Sequence, residues 1–204
     1  MERLIEGYLQ FRQTVWPAER ARYEAMAHGG QKPEALVIAC SDSRLDPQRV
    51  FGAAPGELFI VRNMAGLVPP YQPDTHYHGT SAAIEYAVRV LGVGHVVLLG
   101  HALCGGIRAI VEGAAEEAGD FVARWMAIAE PVLSQVPADL DSVEMLRQCE
   151  MQAVRLSLAN LLSFPFVRQA VQEGRLQLHG FRFDIRTGEL GHLEGDGFVP
   201  VAAR

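Results

Sequence analysis

The sequence predicts an α/β fold built from parallel βαβ units. Three observations carry that expectation. Short, almost uniformly apolar runs recur at 35–39, 58–61 and 96–99. Such runs suit strands covered on both faces, as in a parallel sheet. A helical stretch lies between the second and third runs, and another follows the third, which is the rhythm of βαβ units. Glycines and prolines punctuate the boundaries, at Gly29-Gly30, Pro55-Gly56, Gly92 and Gly105-Gly106.

The elements follow in order. Leu4, Ile5, Tyr8, Leu9 and Val15 form a helical stripe, and Pro17 can open a second helix that Gly29-Gly30 ends. Ala35-Leu36-Val37-Ile38-Ala39 is the first strand, ending at Cys40. Leu58-Phe59-Ile60-Val61 is the second, and a helix over 81–91 is closed by Gly92. Val96-Val97-Leu98-Leu99 is the third strand and runs into Gly100-His101. A helix over 141–162 takes Asp141 as its cap, with Glu144 three residues on as a capping-box partner. A short helix over 166–172, a strand over 176–185, a turn at 186–189 and one last short strand complete the chain. The 204 residues carry no repeat or linker, so a single domain over 1–204 is expected, with 1–30 as an N-terminal helical arm.

Composition removes several classes of function. The formal net charge of −6 argues against a nucleic-acid partner, which needs a basic face for phosphates, and against attachment to an anionic membrane. The longest apolar runs, at 35–40 and 96–99, are far too short to span a bilayer. The start of the chain carries acidic residues and no signal-peptide apolar region. A cytoplasmic protein without a membrane partner is therefore expected. Three cysteines cannot form a disulfide framework without one left over, and in a reducing compartment they point to metal or chemistry.

Two of them sit where a parallel sheet places its ligands. Cys40-Ser41-Asp42-Ser43-Arg44 and His101-Ala102-Leu103-Cys104-Gly105-Gly106 each follow the carboxyl end of an apolar strand. If those strands are neighbours, Cys40, His101 and Cys104 converge as a Cys₂His zinc set with the fourth position open, the mark of catalytic zinc. A helix after Cys104 would favour its thiolate. Asp42 can orient a zinc-bound hydroxide because a carboxylate only accepts hydrogen bonds, and Arg44 can hold Asp42 away from the metal by a bidentate pair. A lone buried cysteine is ordinarily a small core residue, and a lone Asp–Arg pair an ordinary ion pair. Their joint occurrence at two strand ends favours a site. Cys149, mid-helix among Gln148, Glu150 and Met151, stays a core residue.

Read together, these blocks resemble the β-class carbonic anhydrases. The likeness rests on 40–44, on Pro-Gly-Glu-Leu-Phe-Ile-Val-Arg-Asn at 55–63, on Ala-Ala-Ile-Glu-Tyr-Ala-Val at 82–88, on 100–106, and on Leu-His-Gly-Phe-Arg-Phe-Asp-Ile with Thr-Gly-Glu-Leu over 178–190. It implies a parallel-centred β-sheet flanked by helices, with the N-terminal arm reaching over a partner in a homodimer or a higher oligomer built from dimers. It implies reversible hydration of CO₂ to bicarbonate, with one Zn²⁺ per chain on Cys40, His101 and Cys104. Asp42 and Arg44 become the catalytic dyad. Gln31, Phe59, Tyr86 and the backbone of Gly105 become the substrate pocket, lined across a dimer interface. Val37 stands where some bacterial members carry Trp, and Val68-Pro69-Pro70-Tyr71 looks like the plant-type subgroup, so an open site is expected, with Asp42 off the metal. His28, His76 and His78 are candidate proton carriers because they are imidazoles, with the ordinary surface histidine as the favoured reading. Two alternatives share the motif: a CS₂ or COS hydrolase on the same fold, and a non-catalytic scaffold or bicarbonate sensor.

Overall fold

The computed structural model describes residues 1–115, 117 and 119–202. Its frame is one six-stranded sheet in the order β2-β1-β3-β4-β5-β6. The strands are β1 (Ala35–Cys40), β2 (Leu58–Asn63), β3 (His95–His101), β4 (Gln177–Phe183), β5 (Leu190–Glu194) and β6 (Gly197–Pro200). The first four in spatial order run parallel, and β5 and β6 add an antiparallel edge. The expected parallel-centred sheet is therefore present. It carries one strand more than expected, because Glu194 and Gly197 pair around a tight turn and split the final segment into a hairpin.

β1 is central, and all six of its residues are buried. Its side chains alternate between two cores, as the period of a strand requires. Leu36 and Ile38 face Ile84, Ala87, Val96, Leu98, Leu161 and Phe164. Val37 and Ala39 face Leu45, Leu99, Ile107, Ile110 and Met126. Burying a Leu or Ile this fully contributes about 1.5–3 kcal/mol, so the uniform run at 35–40 is the cost of lying mid-sheet with helices on both faces.

The helices are α1 (Glu2–Thr14), α2 (Trp16–Gly29), α3 (Pro47–Phe51), α4 (Gly79–Glu85), α5 (Gly105–Val111), α6 (Asp120–Met126), α7 (Ser142–Ser163) and α8 (Pro165–Gln172). The expected helix over 81–91 begins two residues earlier, and its second half, Tyr86–Leu91, widens to a π-helix. Asp141 caps α7 by accepting from the amides of Val143 and Glu144, both at 2.9 Å. Glu144 does not return a bond as a capping box would. Its carboxylate is taken by Arg147 and Gln148 instead. No helix is long and apolar enough to cross a membrane among the described residues.

The chain leaves β1 toward β2 on one side and reaches β3 on the other. That reversal opens a crevice at the carboxyl ends of β1 and β3. Ala39 pairs with Leu99, so Cys40 and His101 end neighbouring strands, one residue apart in register, at the mouth of the crevice.

Candidate metal centre

Cys40 closes β1, His101 closes β3, and Cys104 follows a tight turn at the start of α5. Their ligand atoms all lie within 4.8 Å of one another, and all three residues are buried. Among the described residues no other His, Cys, Asp or Glu group meets that condition. The turn between His101 and Cys104 is tight because Leu103 adopts φ +57°, a conformation that costs a non-glycine residue about 1–3 kcal/mol.

The imidazole is poised as a ligand. His101 Nδ1 donates to the carbonyl of Ala102 at 2.9 Å, which leaves the Nε2 lone pair free. Nε2 is buried without a hydrogen-bond partner, an arrangement that proteins avoid unless something else meets the atom. The two sulfurs are linked. A hydrogen bond from Cys104 pulls the Cys40 thiol far below its usual range, against the opposing effect of burial. The same bond, with burial, pushes the Cys104 thiol up. On metal binding both thiols would give up their protons, so a soft divalent cation would meet two thiolates and one imidazole. This donor set and the orphaned nitrogen fit zinc.

Asp42 lies beside the trio without joining it. Arg44 donates Nε to Oδ1 at 2.9 Å and Nη2 to Oδ2 at 2.7 Å, and its backbone amide donates to Oδ1 at 2.9 Å. The Arg44 guanidinium holds the Asp42 carboxyl well below the usual carboxylate range. Asp42 Oδ2 remains 3.9 Å from His101 Nε2. Arg44 Nη2 also donates to the carbonyl of Leu103 at 3.1 Å, so the dyad bridges the two ligand loops.

Three polar residues around this centre escaped the sequence reading. Arg62 on β2 donates to the carbonyls of Cys40 (3.0 Å), Asp42 (2.7 Å) and Leu45 (2.6 Å), fixing the first ligand loop. Glu150 on α7 accepts from the amide of Cys104 at 3.2 Å, and Arg182 on β4 donates Nη2 to Glu150 at 2.8 Å. Glu150 had left a signal: it falls four residues from Leu146 and four from Val154, on the stripe α7 buries. A charge on a buried stripe asks for a partner.

The remaining expected site residues fall elsewhere. Phe59 and Tyr86 do meet, with ring centroids 5.9 Å apart. Phe59 pairs in register with Leu36, four residues before Cys40, or roughly 13 Å back along the strand. Gln31 lies exposed ahead of β1. Within one chain these three sit toward the amino edge of the sheet, away from the trio. Gly105, by contrast, is the first residue of α5 and directly follows Cys104. Of the candidate proton carriers, exposed His28 donates to the carbonyl of Glu24 and His78 pairs with Asp74, both at 2.7 Å. Cys149 is buried in α7, and burial pushes its thiol up, so it stays a core residue.

Comparison with known proteins agrees with this geometry. The profile of the carbonic anhydrase family matches residues 35–190. A carbonic anhydrase of Pseudomonas aeruginosa is 40% identical over 206 residues, covering 99% of this chain and 92% of its own. The β-carbonic anhydrase CcaA superposes with a TM-score of 0.92 at 29% identity, covering 98% of this chain and 99% of the other. One of two tetrameric β-carbonic anhydrases from Sordaria macrospora gives a TM-score of 0.75 at 30% identity, covering 97% and 99%.

Proposed function

This chain belongs to the β class of the carbonic anhydrase family, and we propose that its site is divided between two copies of the chain. The activity is the reversible hydration of CO₂ to bicarbonate and a proton, with zinc as cofactor. Neither hydrolysis of CS₂ or COS nor a non-catalytic role is favoured by these relatives.

In the proposed division, one copy supplies the zinc ligands Cys40, His101 and Cys104. The observation that carries this is the convergence of those three buried donors around an imidazole nitrogen with no other partner. When bound, zinc supplies a Lewis acid that makes water a nucleophile near neutral pH. Asp42 would accept a hydrogen bond from the attacking water and so aim an oxygen lone pair at CO₂. It can only accept, because Arg44 keeps it ionised. Arg44 also holds both carboxylate oxygens and so would keep Asp42 from ligating a bound metal. The amide of Gly105 opens α5 with no acceptor one turn earlier in the helix and donates to a substrate oxygen.

The other copy supplies Gln31, Phe59 and Tyr86. Their place at the amino edge supports this, because one chain cannot bring them to its own trio. The arm supports it too. Leu4, Ile5, Tyr8 and Leu9 are each more than half exposed, and neither α1 nor α2 buries a residue. A second copy is the occupant such a stripe fits. We read the chain as one domain over 1–204 with a dimerising arm at 1–30, working in the cytoplasm as a dimer or an assembly of dimers.

Complementation tests this division. Cys104→Ser and Tyr86→Ala chains are each purified alone and then co-expressed. Random pairing makes about half of the dimers mixed, each with one intact site, so about a quarter of wild-type activity returns. Activity no higher than the mean of the two separate variants would show that each site is built within one chain.

A further inference from the structure

We propose that Glu150 and Arg182 are positioning residues for the metal centre, gripping the peptide bond between Leu103 and Cys104 from behind while Asp42 and Arg44 grip it from the front. The inference rests on Cys104 being a zinc ligand. Its observation is that one peptide unit is held at both ends by two separate carboxylate–guanidinium pairs. The carbonyl of Leu103 accepts from Arg44 Nη2 at 3.1 Å. The amide of Cys104 donates to Glu150 Oε1 at 3.2 Å. Arg44 is paired with Asp42, and Arg182 donates Nε and Nη2 to Glu150 Oε2 at 3.1 and 2.8 Å.

The two pairs differ in depth. Arg44 is half exposed, whereas the side chains of Glu150 and Arg182 are 2% and 13% exposed. A buried ion pair contributes little net stability, since desolvation offsets most of the attraction. A geometric role accounts better for placing one there. The peptide it grips needs holding. Leu103 is in the left-handed region, and such a conformation persists where its surroundings over-determine it. Without the two grips that left-handed turn could relax, and the place it gives Cys104 relative to His101 would no longer be fixed.

The fold is built to deliver Glu150 to that place. α7 packs directly on β3 and β4 where two glycines leave room for Val154. A Cβ on Gly100 would stand 2.7 Å from Val154 Cγ2, and one on Gly180 would stand 2.9 Å from Val154 Cγ1. Val154 is one turn from Glu150 on the same helix face. The clamp therefore ties α7, β4 and the second ligand loop into one unit. The carboxylate also brings its own countercharge, because Arg182 neutralises Glu150 where it holds the Cys104 amide.

The test compares Glu150→Ala with Glu150→Gln in the full-length protein. Zinc affinity is measured by competition with a chelator, and the site is loaded with cobalt(II) to read its visible absorption. Glu150→Ala is expected to weaken zinc binding about 10- to 100-fold, the range for residues that orient ligands, and to change the cobalt spectrum. Glu150→Gln keeps an acceptor oxygen for the Cys104 amide but loses the pair with Arg182, and is expected to recover part of both. A folded Glu150→Ala protein with wild-type zinc affinity and spectrum would overturn the proposal. So would a Gln variant as impaired as the Ala variant in both. Should Glu150→Ala not fold, Arg182→Lys decides: a shifted cobalt spectrum at a wild-type Tm supports the clamp, and an unshifted one refutes it. Cys104→Ser separates this from the underlying reading. If that variant keeps the full thiolate–cobalt absorption, Cys104 is not a ligand and the metal assignment itself fails.

Discussion

The two edges of the sheet are built to different standards of completeness. At the carboxyl edge, Cys40, His101, Cys104, Asp42 and Arg44 are assembled within one chain, buried or tied by hydrogen bonds of 2.7–3.1 Å. At the amino edge, Phe59 and Tyr86 touch each other, Gln31 is exposed nearby in sequence to β1, and no catalytic group is within reach. The contrast teaches how labour divides in a parallel sheet. All crossovers of a parallel sheet enter on the same edge, so the chain can gather reactive side chains at the carboxyl ends alone. On the proposed division, residues at the opposite edge serve another copy.

Breaking the carboxyl edge is expected to have the largest effect. Cys104→Ser removes one thiolate of the trio and is expected to lose most zinc and activity together, read as metal content per chain alongside stopped-flow CO₂ hydration. Retained zinc at one per chain would mean that the wrong trio is assigned. Asp42→Asn comes next. The neutral amide offers a donor where the mechanism needs an acceptor, so turnover is expected to fall about 10- to 100-fold with zinc retained. Full activity in that variant would contradict the orienting role.

The amino edge is expected to respond less, and only through the assembly. Tyr86 is half exposed, so Tyr86→Ala leaves the monomer fold intact. It is expected to reduce kcat/KM about tenfold, equivalent to about 1.4 kcal/mol of transition-state binding. A larger loss of zinc than of activity would place Tyr86 on the metal side instead. The smallest effect belongs to neither edge. Cys149→Ala, inside α7, is expected to keep stoichiometric zinc and full activity while losing about 1 kcal/mol of stability, measured by denaturant unfolding of the zinc-loaded protein.

Much of this was legible before the structure. The run at 35–40 showed a central strand because only a strand covered on both faces drops the polar half of the alternation. The His-x-x-Cys turn and the Cys-Ser-Asp-Ser-Arg loop showed the site because reactive residue types clustered immediately after apolar runs. Arg62, Glu150 and Arg182 were not legible as parts of the centre. Arg62 and Glu150 act on a backbone carbonyl or amide 17 to 46 positions away, and backbone atoms leave no mark on the sequence; Arg182 acts through the Glu150 carboxylate 32 positions away. Arg62 and Arg182 lay inside segments that matched the family pattern, yet nothing local told what they would touch.

The sequence by itself placed β1 to β4 and set Cys40, His101 and Cys104 at or just after the ends of β1 and β3, since composition and spacing act within a few residues. Tertiary structure alone decided that β1 and β3 are neighbours, that α7 closes over Gly100 and Gly180, and that one strained peptide is gripped from two sides. Those outcomes depend on which distant elements pack together, and packing is settled by the shape of the whole core rather than by any one segment.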